Sequence, residues 1–224
     1  MKYRFFGIIL LLSSVAVYSQ SVDVKVVTSK KEINALLKKN QDGLRINKAY
    51  FAQDKNCRKL IGERELVKAE ASCRLAISLV EKLPKEQILE RSSARVSLAV
   101  TLLWQRKIEE AILLINKSIE IGKPVIDDSD AEMGERYFLL GQAYHIQSNV
   151  SEAAKYYTRA ENTYRTAFKE MGDSDIRGFY PKPIINILKA HLVLLENAGD
   201  AESAAVVEKR LAATKIEFAE FLKP

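Results

Sequence analysis

The order of apolar and polar residues changes character along the chain. Phe5 through Val17 form a mainly apolar stretch, with basic Lys2 and Arg4 before it and small Ser19 and Ser21 after it. A helix needs roughly 20 apolar residues to cross a bilayer, and this run is too short. Residues 1–19 therefore read as a secretory signal peptide cleaved after Ser19, the alternative being an uncleaved anchor. Val22 to Val27 alternates like a strand, but a lone strand forms no sheet, and the segment reads as an extended leader. Ser29 and Glu32 form a predicted capping box, and Ile33, Leu36 and Leu37 then give a short amphipathic helix. From about residue 50 the apolar positions follow helical periods. Ala153, Tyr157, Ala160, Tyr164 and Phe168, after a start at Ser151, are the clearest case. A second capping box is predicted at Ser129 and Glu132.

The helical pattern repeats. Ala69, Ala111 and Ala153 lie 42 residues apart. The same offset aligns Leu60, Leu102 and Tyr144; Cys57, Ala99 and Gly141; Cys73, Ile115 and Tyr157; and Ala76, Ser118 and Ala160. Small residues facing one another let two antiparallel helices approach, and larger apolar side chains fill the space beside them. A fourth copy is displaced by 51 residues: Asn197 to Asp200 reads as its turn and Ala204 as its central alanine. Leu192, Leu195 and Leu211 take its core columns, whereas Glu208 stands where an aromatic residue is expected. Gly172 to Pro183, with Phe179 and Tyr180, reads as the main loop.

The third copy carries Tyr137, Leu140, Gly141, Tyr144, Ala153, Tyr157 and Ala160. This set resembles the tetratricopeptide repeat, whose usual period is about 34 residues. A 42-residue period resembles long-helix members such as the kinesin-light-chain type. The resemblance covers roughly residues 50 to 215 and implies an all-α fold. It would be a right-handed superhelix of stacked antiparallel helix hairpins, about four of them, over residues 50–224. A basic leader with the short helix would occupy residues 20–49.

Composition narrows the functional classes. Nine Gly and five Pro among 224 residues are too few for a many-turned β-sandwich. Residues 25–59 carry ten Lys or Arg against Glu32, Asp42 and Asp54. That excess suits a solvated helix face, anionic lipid or an acidic partner, and no aromatic interleaving points to nucleic acid. Nothing after Val17 is apolar for long enough to span a membrane. His145 and His191 lack metal-ligand spacing, no phosphate-binding, hydrolase or zinc motif occurs, and neither metal nor cofactor is expected. Asp127, Asp128 and Asp130 lack the spacing of a calcium loop and read as helix-capping residues. Cys57 and Cys73 are equidistant from residue 65, the expected turn, and should face one another. An exported chain would oxidise them to a disulfide. Helix axes 8–10 Å apart would instead leave two buried thiols.

The expectation is a periplasmic or secreted scaffold or adaptor, not an enzyme. The resemblance implies a concave groove for a peptide or partner helix, formed by the first helix of each pair. Carried onto this sequence, its positions are Val96, Val100, Trp104, Phe138, Gln142 and His145, edged by Arg58 and Lys189. Trp104 and Phe138 would be anchors, or else part of the core. The alternatives are a structural subunit of an envelope complex held through the basic N-terminal segment, and an enzyme with an unrecognised site.

Overall fold

The computed structural model describes residues 30–172 and 178–222, with the backbone alone for residues 30–37 and 39. The signal segment, the alternating leader and Ser29 lie outside the described residues. Residues 40–224 form one compact unit, and residues 1–39 another, of which only the beginning of the first helix is described.

Consecutive helices pair as hairpins, and no strand occurs among the described residues. The pairs are α1 (Lys30–Gly62) with α2 (Leu66–Val80), then α3 (Ile88–Trp104) with α4 (Ile108–Gly122). They continue with α5 (Ala131–Ile146) and α6 (Val150–Glu170), then α7 (Pro181–Ala198) and α8 (Ala201–Glu217). Each second helix also packs on the first helix of the next pair, so the hairpins stack as an α-solenoid. Among the described residues, no helix is long and apolar enough to cross a membrane.

Every hairpin turns by one local device. The N–H of Glu65 returns to the carbonyl of Leu60 at 3.0 Å, and that of Arg64 to Ile61 at 3.1 Å. Lys107 and Arg106 repeat this with Leu102 and Leu103, Asn149 and Ser148 with Tyr144 and His145, and Asp200 and Gly199 with Leu195 and Glu196. This paired bonding is the Schellman ending of a helix, and it requires a left-handed residue. The four residues are Arg64, Arg106, Ser148 and Gly199, at φ 62°, 63°, 59° and 74°. The first three lie 42 residues apart and the last 51 further on. Only the fourth turn uses glycine; a side chain in this conformation costs roughly 1–2 kcal/mol.

The core explains the small-residue columns. Cys57 faces Cys73 in the first hairpin, and Ala99, Ile115, Gly141 and Tyr157 occupy the corresponding positions in the next two. All six are buried. As the residue on the second helix grows from Cys to Ile to Tyr, the one on the first shrinks from Cys to Ala to Gly. A Cβ on Gly141 would come within 2.5 Å of the Tyr157 ring, so bulk there is excluded. In the first hairpin the pair is a disulfide with Cα atoms 5.1 Å apart, well inside the usual limit of about 7 Å. Two buried thiols are thereby ruled out.

Several local expectations need correction. α1 runs unbroken through residues 49 and 50, where a separate leader helix was expected to give way to the repeats. α5 is entered through Asp130, not Ser129: the Asp130 carboxylate accepts the N–H of Asp127 at 2.8 Å and closes the preceding turn. α6 begins one residue before Ser151 because Asn149 caps it, accepting the N–H of Glu152. The expected loop to Pro183 ends earlier, since Pro181 opens α7, where its missing N–H leaves no bond unmade.

Candidate functional site

The turns of the four hairpins border a cleft of about 750 Å³. Arg64 and Leu66 come from the first turn, and Leu103, Trp104 and Arg106 from the second. The third hairpin supplies Gln142, His145, Ile146, Ser148, Val150 and Tyr157, and α7 supplies Ala190, Leu194, Asn197 and Ala198. Leu103, Ile146, Val150, Ala190 and Leu194 make an apolar lining. Arg64, Arg106, His145, Gln142, Ser148 and Asn197 add cationic and hydrogen-bonding groups, and no carboxylate lines the cleft among the described residues. Such a mixture, at this volume, is typical of ligand sites.

Trp104 is 41% exposed. The Arg64 guanidinium lies over its indole, 3.9 Å from the ring centroid, and joins the first hairpin to the second by a cation–π contact. His145 Nδ1 and the Tyr157 hydroxyl share a hydrogen bond of 3.1 Å. Partial burial lowers the His145 pKa, which favours its neutral form. His191 packs on the same Tyr157 ring, with centroids 5.8 Å apart. Burial, with Arg210 adding repulsion, brings the His191 pKa down to about 4.

A smaller cleft of about 330 Å³ lies between the first three hairpins. Its lining includes Arg58, Ile61, Val96, Val100, Glu132, Glu135 and Arg136. Arg136 is buried. Its Nε donates to Ser118 Oγ at 2.9 Å, one Nη to Ser92 Oγ at 2.7 Å and the other to the Glu132 carbonyl. Arg136 thus ties α5 to α3 and α4.

The expected groove residues are consequently divided. Trp104, Gln142 and His145 meet in the larger cleft, whereas Arg58, Val96 and Val100 meet in the smaller. Phe138 lines neither; its half-buried ring packs against Tyr157 with centroids 5.9 Å apart. Lys189 is exposed on α7 and also lines neither. Sequence reasoning missed Arg64, Arg106, Tyr157 and Asn197 as cleft residues. The missed signal was the repeated turn position, where Arg64 and Arg106 stand 42 residues apart.

Among the described residues, no group of three or more His, Cys, Asp or Glu is placed to hold a metal ion. No family model matches the chain, and no curated protein does. Among solved structures, the chain is similar to a Podosopora anserina kinesin light chain with nearly identical TPR-like repeats. Identity is 11%, 74% of this chain and 94% of that chain are covered, and the TM-score is 0.46. A single-residue variant of that protein gives the same identity and TM-score, with 75% and 95% covered. The fold is defined by the helices and turns described above.

Proposed function

We propose that this chain is an exported interaction scaffold of the long-helix tetratricopeptide-repeat type, without catalytic activity of its own. A peptide or partner helix is held in the larger cleft. The observation that carries this reading is that all four hairpins contribute side chains to that one cleft. Stacked repeats produce extended binding surfaces in this way, because each unit repeats the same exposed position. The Cys57–Cys73 bond is compatible with an oxidising compartment, which supports periplasmic or secreted placement. Trp104, Gln142 and His145 contact the partner. Phe138 acts from behind, by supporting Tyr157.

A photo-crosslinking amino acid placed at Gln142 tests the assignment, with the same group at exposed Leu113 on α4 as control. One discrete cross-linked chain is expected from position 142 in native extract and none from position 113. The same chain captured at both positions, or only at 113, would move the binding surface away from the cleft.

A further inference from the structure

Arg64 and Arg106 occupy the left-handed position that ends a helix, where glycine is cheapest and Gly199 is used in the fourth turn. Both line the larger cleft. Apart from the contact of Arg64 with Trp104, neither side chain has a hydrogen-bond or ion-pair partner among the described residues. The acids close to them in the chain are engaged elsewhere: Glu63 with Lys59 at 3.6 Å, Glu65 with Lys68 at 3.2 Å, Glu109 with Gln147 at 3.3 Å and Glu110 with Arg74 at 2.7 Å. Two arginines are thus held in a costly conformation, without carboxylate partners, beside an indole and an apolar lining. Glycine would make the same turn at lower backbone cost, so the turn alone does not call for an arginine side chain at either position.

From this we infer that the larger cleft takes an acidic peptide segment, its carboxylates at Arg64 and Arg106 and an adjacent apolar side chain against Trp104. The inference rests on the scaffold reading and adds the chemistry of the occupant. Guanidinium groups suit carboxylates because their donors form a planar fork, and stacking on the indole holds the Arg64 fork in place. The apolar lining removes a large side chain from water beside them.

Trp104 is the only tryptophan, so intrinsic fluorescence reads the cleft directly. The probe is an unlabelled peptide alternating Asp or Glu with Leu, titrated against the full mature chain. Its Asn and Gln counterpart and decanoate are run in parallel. A saturable emission change with the acidic peptide, weakened at least about tenfold by Arg106→Gly or by its neutral counterpart, is the expected result. The same Arg106→Gly change relieves the left-handed backbone and should raise Tm by about 2–4 °C. Binding and stability then move in opposite directions, which a merely structural arginine would not produce. Equal binding of the neutral peptide, or unchanged affinity in Arg106→Gly, overturns the inference. Decanoate binding as tightly as the peptide also overturns it, in favour of an anionic amphiphile. If cross-linking at position 142 succeeds while the acidic peptide fails, the scaffold reading stands and only the acidic occupant is lost.

Discussion

The first and third hairpins solve one packing problem by different means. At the same facing register, the first joins Cys57 to Cys73 covalently, while the third sets Gly141 beneath the ring of Tyr157. A disulfide acts mainly on the unfolded chain by restricting its freedom. A buried aromatic residue acts on the folded chain, through area removed from water and close contact. The two hairpins should therefore respond to different insults. The first answers to reductant, the third to changes of volume and, through the histidines beside Tyr157, to acid.

The largest effect should come from Tyr157→Ala. It removes a ring shared by His145, Phe138 and His191, and should cost about 3–5 kcal/mol in a denaturant titration. Reduction of the bond, or Cys57→Ser with Cys73→Ser, should cost about 3 kcal/mol. If the double-serine variant melts like the oxidised protein, the first hairpin is held by packing alone and the contrast disappears.

Acid should act on the third hairpin and its neighbour. With the folded His191 pKa lowered from 6.5 to about 4, folding favours the neutral ring. That contribution is complete above pH 6.5 and is lost as pH falls from 6.5 towards 4. Its full loss amounts to about 3 kcal/mol. His191→Gln should flatten the stability slope in that window, which melting at several pH values would measure. An unchanged slope would place the acid sensitivity elsewhere. The smallest disturbance is Gly141→Ala, expected to cost about 1–3 kcal/mol because the Tyr157 ring must move aside. Combining it with Tyr157→Ile, which recreates the pairing of the second hairpin, should recover part of that cost.

Much of the fold was legible because its periodicity is a packing requirement. The columns through Ala69, Cys57 and Cys73 are buried in all three copies, and Asp200 caps α8 where the sequence suggested a turn. The expected starts at Ser129 and Ser151 give way to caps at Asp130 and Asn149. Several polar residues precede each of those helices, and only tertiary placement chooses among them. The site was less legible for a related reason. The groove expectation followed first-helix positions and ignored the turns, although Arg64 and Arg106 repeat at the period of the core. Positive φ at an arginine leaves no mark in composition or hydropathy. Nor does the sequence show that Arg136, a charged residue, is buried among two serine hydroxyls and a carbonyl.

All four hairpins contribute side chains to the larger cleft, and filling it is the most direct test of the proposed binding surface. Gln142→Trp places bulk in the cleft from a half-buried position on α5 and leaves the disulfide and the Tyr157 contacts of the core in place. Quantitative capture of the chain identified by cross-linking should fall at least about tenfold in this variant, with Tm within a few degrees of the parent. Capture at parental affinity by a folded Gln142→Trp protein would contradict the account, because binding would then take place on another surface.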